Sequence, residues 1–147
     1  MRKRILFVDE EFAVDTDEEL GSYMSYYAIE LTDAGYEVIR CPDVDGAIAA
    51  IREQTFDLVI LDGTMPAGDA LKDDPVANGG YTGWVLAEQV HTMKPDTPVI
   101  MLTNYPEFRE RFADLIERGV VSRVVSKLEK TPSELAVIID AIFSGSN

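Results

Sequence analysis

Five short apolar runs alternate with stretches of helical period from one end of the chain to the other. Arg4-Ile5-Leu6-Phe7-Val8, Glu37-Val38-Ile39-Arg40-Cys41, Leu58-Val59-Ile60-Leu61, Pro98-Val99-Ile100-Met101-Leu102 and the shorter Arg123-Val124-Val125-Ser126 read as strands. The first is continuous enough for burial on both faces. Between them, Leu20, Met24, Tyr27, Ala28 and Leu31 share one helical face. Thr16-Asp17-Glu18-Glu19 has the form of a capping box that opens this helix, and Gly35 is placed to end it. Asp43 or Asp45 caps a second helix that turns Ala47, Ile48 and Ile51 inward. A third runs from about Gly83 through Gln89 to Thr92, and Phe108, Phe112, Leu115 and Ile116 mark a fourth. Thr131-Pro132-Ser133-Glu134 is a capping box with proline at the first helical position, ahead of inward Leu135, Ile138, Ile139 and Ile142.

This alternation predicts an α/β domain: a flavodoxin-like, doubly wound, five-stranded parallel sheet of order 2-1-3-4-5 with helices on both faces. Residues 1–147 read as one domain with a surface insertion at about 67–79, rich in Pro, Gly, Asn and Asp and poor in apolar residues. A net charge of −14, with thirteen Lys and Arg against twenty-seven Asp and Glu, argues against a nucleic-acid-binding surface. No run approaches membrane-spanning length, and the apolar run after Met1-Arg2-Lys3-Arg4 is too short for a signal-peptide core. Cys41 is the sole cysteine and closes no internal disulfide. A cytoplasmic protein is the expectation.

In an open parallel sheet, ligands bind beyond the carboxyl ends of the strands near the point where strand order reverses. Asp9 and Glu10 follow the first predicted strand and Asp62 follows the third. These strands are neighbours in the expected order, so three carboxylates converge and repel unless a cation offsets them. A hard divalent ion with oxygen ligands meets that need, Mg²⁺ foremost, with the Thr64 carbonyl completing the shell. Thr103 brings a hydroxyl from the end of the fourth strand and Lys127 an ammonium from the end of the fifth. An anionic group on Asp62 would meet metal, hydroxyl and ammonium together, which suits phosphoryl transfer with Asp62 as nucleophile.

The motifs Ile5-Leu6-Phe7-Val8-Asp9-Glu10-Glu11, Leu58-Val59-Ile60-Leu61-Asp62-Gly63-Thr64-Met65-Pro66, Val99-Ile100-Met101-Leu102-Thr103 and Val125-Ser126-Lys127 resemble, in order and over nearly the whole chain, the receiver domains of two-component response regulators. The resemblance implies Asp62 as phosphoacceptor, Asp9 and Glu10 as the metal-binding pair, Thr103 as the switch hydroxyl and Lys127 as the phosphate-binding lysine. It implies a signalling role without metabolic enzyme activity. A sensor histidine kinase or phosphotransfer protein would supply the phosphoryl group, and an unknown downstream protein would receive the signal. A homodimer through the fourth helix, fifth strand and fifth helix is a further implied partner arrangement. Nucleic acid and membrane are not expected partners, and the chain reads either as a stand-alone receiver or as part of a longer protein.

Four positions depart from the family pattern. Glu10 replaces an aspartate and reaches one methylene further; Asn104 replaces a small residue; Leu128 replaces the proline after the lysine. Val124 stands where the family places the aromatic ring that turns inward with the threonine, which leaves the output coupling open. Val124, Leu128 and the insertion favour an alternative, a pseudo-receiver that acts as a phosphorylation-independent interaction module; Asp62, Thr103 and Lys127 oppose it. A haloacid-dehalogenase-like phosphatase, suggested by Asp62-Gly63-Thr64, lacks its nucleophile because the required position is Ile60.

Overall fold

In the computed structural model, residues 2–13, 23–104, 112–127 and 129–145 are described. The expected capping box at 16–19, together with Leu20, Phe108 and Leu128, lies outside them. Strands β1 (Arg4–Val8), β2 (Glu37–Cys41), β3 (Leu58–Asp62), β4 (Val99–Thr103) and β5 (Arg123–Ser126) form one parallel sheet in the order β2-β1-β3-β4-β5. Helices α1 (Tyr23–Asp33), α2 (Val44–Glu53), α3 (Thr82–Met93), α4 (Ala113–Glu117) and α5 (Pro132–Ser144) connect and cover it. None is long and apolar enough to cross a membrane.

Strand periodicity divides the core in two. Leu6, Val8, Val59, Leu61, Val99 and Met101 face one layer with α2 and α3, while Ile5, Phe7, Leu58, Ile60, Ile100 and Leu102 face the other with α1 and α5. Met24, Tyr27, Ala28 and Leu31 of α1 are fully buried, as their spacing requires. Asp43 caps α2 by accepting a hydrogen bond from the Gly46 N–H, and Gly35 closes α1 at a positive φ of 103°. The Thr131–Glu134 capping box forms in full, with Pro132 just inside the helix.

The segment expected to be a surface loop is mostly exposed, as expected, but two of its residues anchor it. Leu71 and Ala77 are buried in the α2–α3 layer, and residues 77–81 form a π turn that runs into α3. Asp45, not used as the α2 cap, accepts hydrogen bonds from the Asp69 and Ala70 N–H groups at 2.9 and 2.8 Å, which hold its carboxyl below the usual carboxylate range. A single apolar side chain among polar neighbours carries no periodicity, so Leu71 is invisible as an anchor until the fold supplies its pocket.

The start of α3 sits directly on the end of β3. The Gly83 N–H donates to the Gly63 carbonyl at 3.2 Å, and a Cβ on Gly83 would lie 2.5 Å from the Asp62 carbonyl oxygen and 2.8 Å from Gly63 Cα. Both obstructing groups are backbone, so neither can rotate away. Gly83→Ala is expected to destabilise the protein by at least about 1–3 kcal/mol, measured by urea denaturation, because α3 must back away from Asp62.

Candidate functional site

The sheet delivers its chemistry to one edge. Val8 pairs in register with Leu61, Asp62 with Leu102, and Thr103 with Ser126, so the residues that follow these strands share the carboxyl rim. Asp9, Asp62, Thr103 and Lys127 are all buried there. Lys127 Nζ lies 2.8 Å from Asp9 Oδ2 and 3.6 Å from Asp62 Oδ1, with Glu11 Oε2 at 4.0 Å. The Lys127 N–H donates to the Thr103 carbonyl at 2.8 Å, joining the last two strand ends below the ammonium.

The charges are unequally served. Lys127 hydrogen-bonds Asp9 and stands further from Asp62, whose other bond is a 3.2 Å contact from the Thr64 N–H. Burial therefore dominates at Asp62 and, with Asp9 nearby, pushes its carboxyl up to about 7 against the opposing pull of Lys127. Burial likewise raises Glu11, with Asp9 adding to the effect. Lys127 is desolvated, but Asp62, Asp9 and Glu11 together hold its ammonium above the usual lysine value.

Of the residues expected to bind metal, Asp9 and Asp62 meet within one buried cluster, and Thr64 is half-buried beside Asp62. Glu10 is exposed on the short 3-10 turn at Glu10–Ala13, near enough for its charge to raise Asp62. Among the described residues no three acidic, histidine or cysteine side chains gather closely enough to hold a metal ion by themselves. The charge balance nevertheless suits a cation: two buried carboxylates and half-buried Glu11 face a single ammonium. The oxygen donors of Asp9 and Asp62 are of the type a hard divalent ion takes.

Tyr27 adds a part that sequence reasoning assigned to packing alone. Its hydroxyl donates to the Lys127 carbonyl at 3.3 Å and to the Lys130 carbonyl, so α1 pins the turn that carries the lysine. A tyrosine on the inward face of an amphipathic helix was the available signal, since a buried phenol needs a partner. Tyr27→Phe is expected to lose about 1–3 kcal/mol by leaving buried carbonyls unpaired. Chemical denaturation measures the loss, and faster amide exchange at residues 127–130 would place it in that turn.

The chain is similar to known proteins in sequence and in fold. No family model matches the chain. Over 142 residues, 97% of its length, it is 26% identical to the phosphate regulon transcriptional regulatory protein PhoB of Klebsiella pneumoniae and 25% identical to that of Escherichia coli K12. The match covers 52% of each, so the chain spans about half the length of the curated relatives it matches. Among solved structures, a CheY-like response regulator receiver domain protein of Methanospirillum hungatei superposes with a TM-score of 0.74 at 22% identity, covering 99% of this chain and 97% of that one. The response regulator TrrA of Thermotoga maritima, solved in complex with Mg²⁺-BeF, gives a TM-score of 0.70 at 25% identity, covering 95% and 98%. In fold and in sequence the chain is similar to response-regulator receiver domains. Its strand order is that of the CheY-like type, and the curated proteins it resembles are PhoB regulators.

Proposed function

We propose that the chain is a phosphorelay receiver in which Asp62 accepts a phosphoryl group from a histidine kinase or phosphotransfer protein, Mg²⁺ assisting. The observation that carries this is the buried triangle of Asp9, Lys127 and Asp62 at the sheet's carboxyl rim, with Thr103 on the adjoining strand end. A carboxylate left undercompensated beside a fixed ammonium is arranged to take on a group that brings its own negative oxygens.

In the transfer, an Asp62 carboxylate oxygen bonds to phosphorus while the bond from phosphorus to the donor's imidazole nitrogen breaks, and the imidazole leaves with a proton. Lys127 offers its ammonium to one equatorial oxygen and Thr103 its hydroxyl to another. Asp9 holds the lysine in place. Asp62, Asp9, Glu10 and the Thr64 carbonyl would hold Mg²⁺, whose charge would offset that of the phosphoryl oxygens and favour the ionised form of Asp62. The product is a switched surface in a signalling module of the cytoplasm, read by a downstream protein or through self-association on the α4-β5-α5 face.

Incubation with Mg²⁺ and acetyl phosphate is expected to add one phosphoryl group by intact mass, lost in Asp62→Asn. No incorporation by the wild-type chain would leave the phosphorylation-independent interaction module as the better reading. The pH dependence follows from Asp62. Its neutral acid is no nucleophile, so at low Mg²⁺ labelling should rise as pH passes upward through about 7. Saturating Mg²⁺ lowers that midpoint and flattens the profile, which initial labelling rates between pH 5.5 and 8.5 would show.

A further inference from the structure

Val124 is half-buried on β5 and carries no ring, yet the aromatic pair of Phe112 and Trp84 packs in the same core layer, and Phe112 comes close to Thr103. Gly63 identifies it. Its φ is not positive, so the backbone does not call for glycine there. Space does: a Cβ on Gly63 would lie 3.1 Å from Thr103 Oγ1, 3.2 Å from Thr103 Cβ and 3.6 Å from Phe112 Cε2. Thr103 and Phe112 thus close over the same spot, one residue from Asp62. Phe112 is fully buried at the head of α4, and its ring packs on Trp84 of α3 at a centroid distance of 5.9 Å, tilted by 37°. Trp84, the chain's single tryptophan, is itself half-buried and so reaches towards the surface.

We propose that Phe112, seated over Gly63 beside Thr103, is the positioning residue that couples Asp62 to the surface in this protein. The coupling runs through Trp84 to the α3–α4 side, in place of a ring on β5. This rests on the phosphoacceptor reading of Asp62 and deepens it. Movement of the Thr103 hydroxyl towards an anionic group on Asp62 vacates volume over Gly63, and close-packed interiors do not leave such volume empty. The Phe112 ring is the large side chain that shares that spot, so it shifts with Thr103, and Trp84 repacks against it. The tertiary contact exists only because residue 63 has no side chain.

Trp84 provides the readout without any label. Tryptophan emission is recorded on the whole chain with Mg²⁺ alone and then with beryllofluoride added, while acetyl phosphate labelling is followed in parallel by mass. The emission maximum is expected to shift on adding beryllofluoride beyond the effect of Mg²⁺. Phe112→Leu should lose that shift while still being labelled at Asp62, and Val124→Ala should keep both. Phe112→Met, closer in volume, serves the same purpose if the leucine variant does not fold. Labelling of the wild-type chain with unchanged emission overturns the coupling alone, as does a shift that survives in the Phe112 variant or disappears in Val124→Ala. Absence of labelling in the wild-type chain overturns the phosphoacceptor reading and this coupling with it.

Discussion

Replacing Lys127 with methionine is expected to lower the stability of the metal-free protein by about 3–5 kcal/mol at pH 8, and by much less at pH 5. The ammonium is almost completely buried and stands 2.8 Å from Asp9 and 3.6 Å from Asp62. Methionine keeps most of the volume, so packing changes little while two buried carboxylates lose their only close cation among the described residues. Asp62, whose carboxyl burial already raises, escapes part of the penalty by taking up a proton. Its folded pKa then rises further above the unfolded one, so stability is retained at low pH and lost as pH rises through the folded value. Urea denaturation in a chelator at pH 5, 6.5 and 8 measures this. An equal loss at all three would mean that the lysine acts through its methylene packing, and the electrostatic account of the site would fail. Adding Mg²⁺ should restore part of the deficit at pH 8, because a cation that binds the folded state alone stabilises it by mass action.

Asp62→Asn should do the opposite and stabilise the metal-free protein at pH 8. The carboxyl titrates near 3.8 when unfolded and at about 7 when folded. Between those values the native state holds the extra proton, so the wild-type chain loses stability as pH rises through that window and levels off above it. At about 1.4 kcal/mol per tenfold in proton affinity, the ionised aspartate costs roughly 2–4 kcal/mol at pH 8. The amide carries no charge and its oxygen still accepts from the Thr64 N–H. The pH profile of the variant should therefore be flatter than that of the wild type, with the two converging near pH 4. A variant no more stable at pH 8 would show that Lys127 already compensates Asp62. The two substitutions share a cluster and should not add: Lys127→Met should cost less in the Asp62→Asn background, and the double-mutant cycle gives the coupling directly. The substitution expected to abolish the proposed phosphoryl acceptance is thus also expected to gain stability, as where a site keeps charge in a buried place for its chemistry.

The sheet was legible in the chain because burial on both faces leaves a continuous apolar word. The runs at Ile5, Leu58 and Val99 each mark a strand, and Asp9, Asp62 and Thr103 stand where those words stop. Parallel topology then sends all strand ends to one rim, so the residues that follow β1, β3 and β5 could be expected to meet there. Helix faces were legible for the same reason, and Asp43, Gly35 and the Thr131–Glu134 box could be read because capping is a local event.

Contacts between residues far apart in sequence were another matter. Nothing in the order of residues ranks Asp9 above Asp62 as the partner of Lys127, since that depends on fractions of an ångström between three strand ends. The anchoring of the insertion by Leu71 and Asp45, the hold of the Tyr27 hydroxyl on the Lys127 turn a hundred residues away, and the meeting of Phe112 with Gly63 have the same origin. Periodicity and capping are properties of a segment and are written along it. Which side chains face one another across the finished sheet, and at what distance, is fixed when its layers pack.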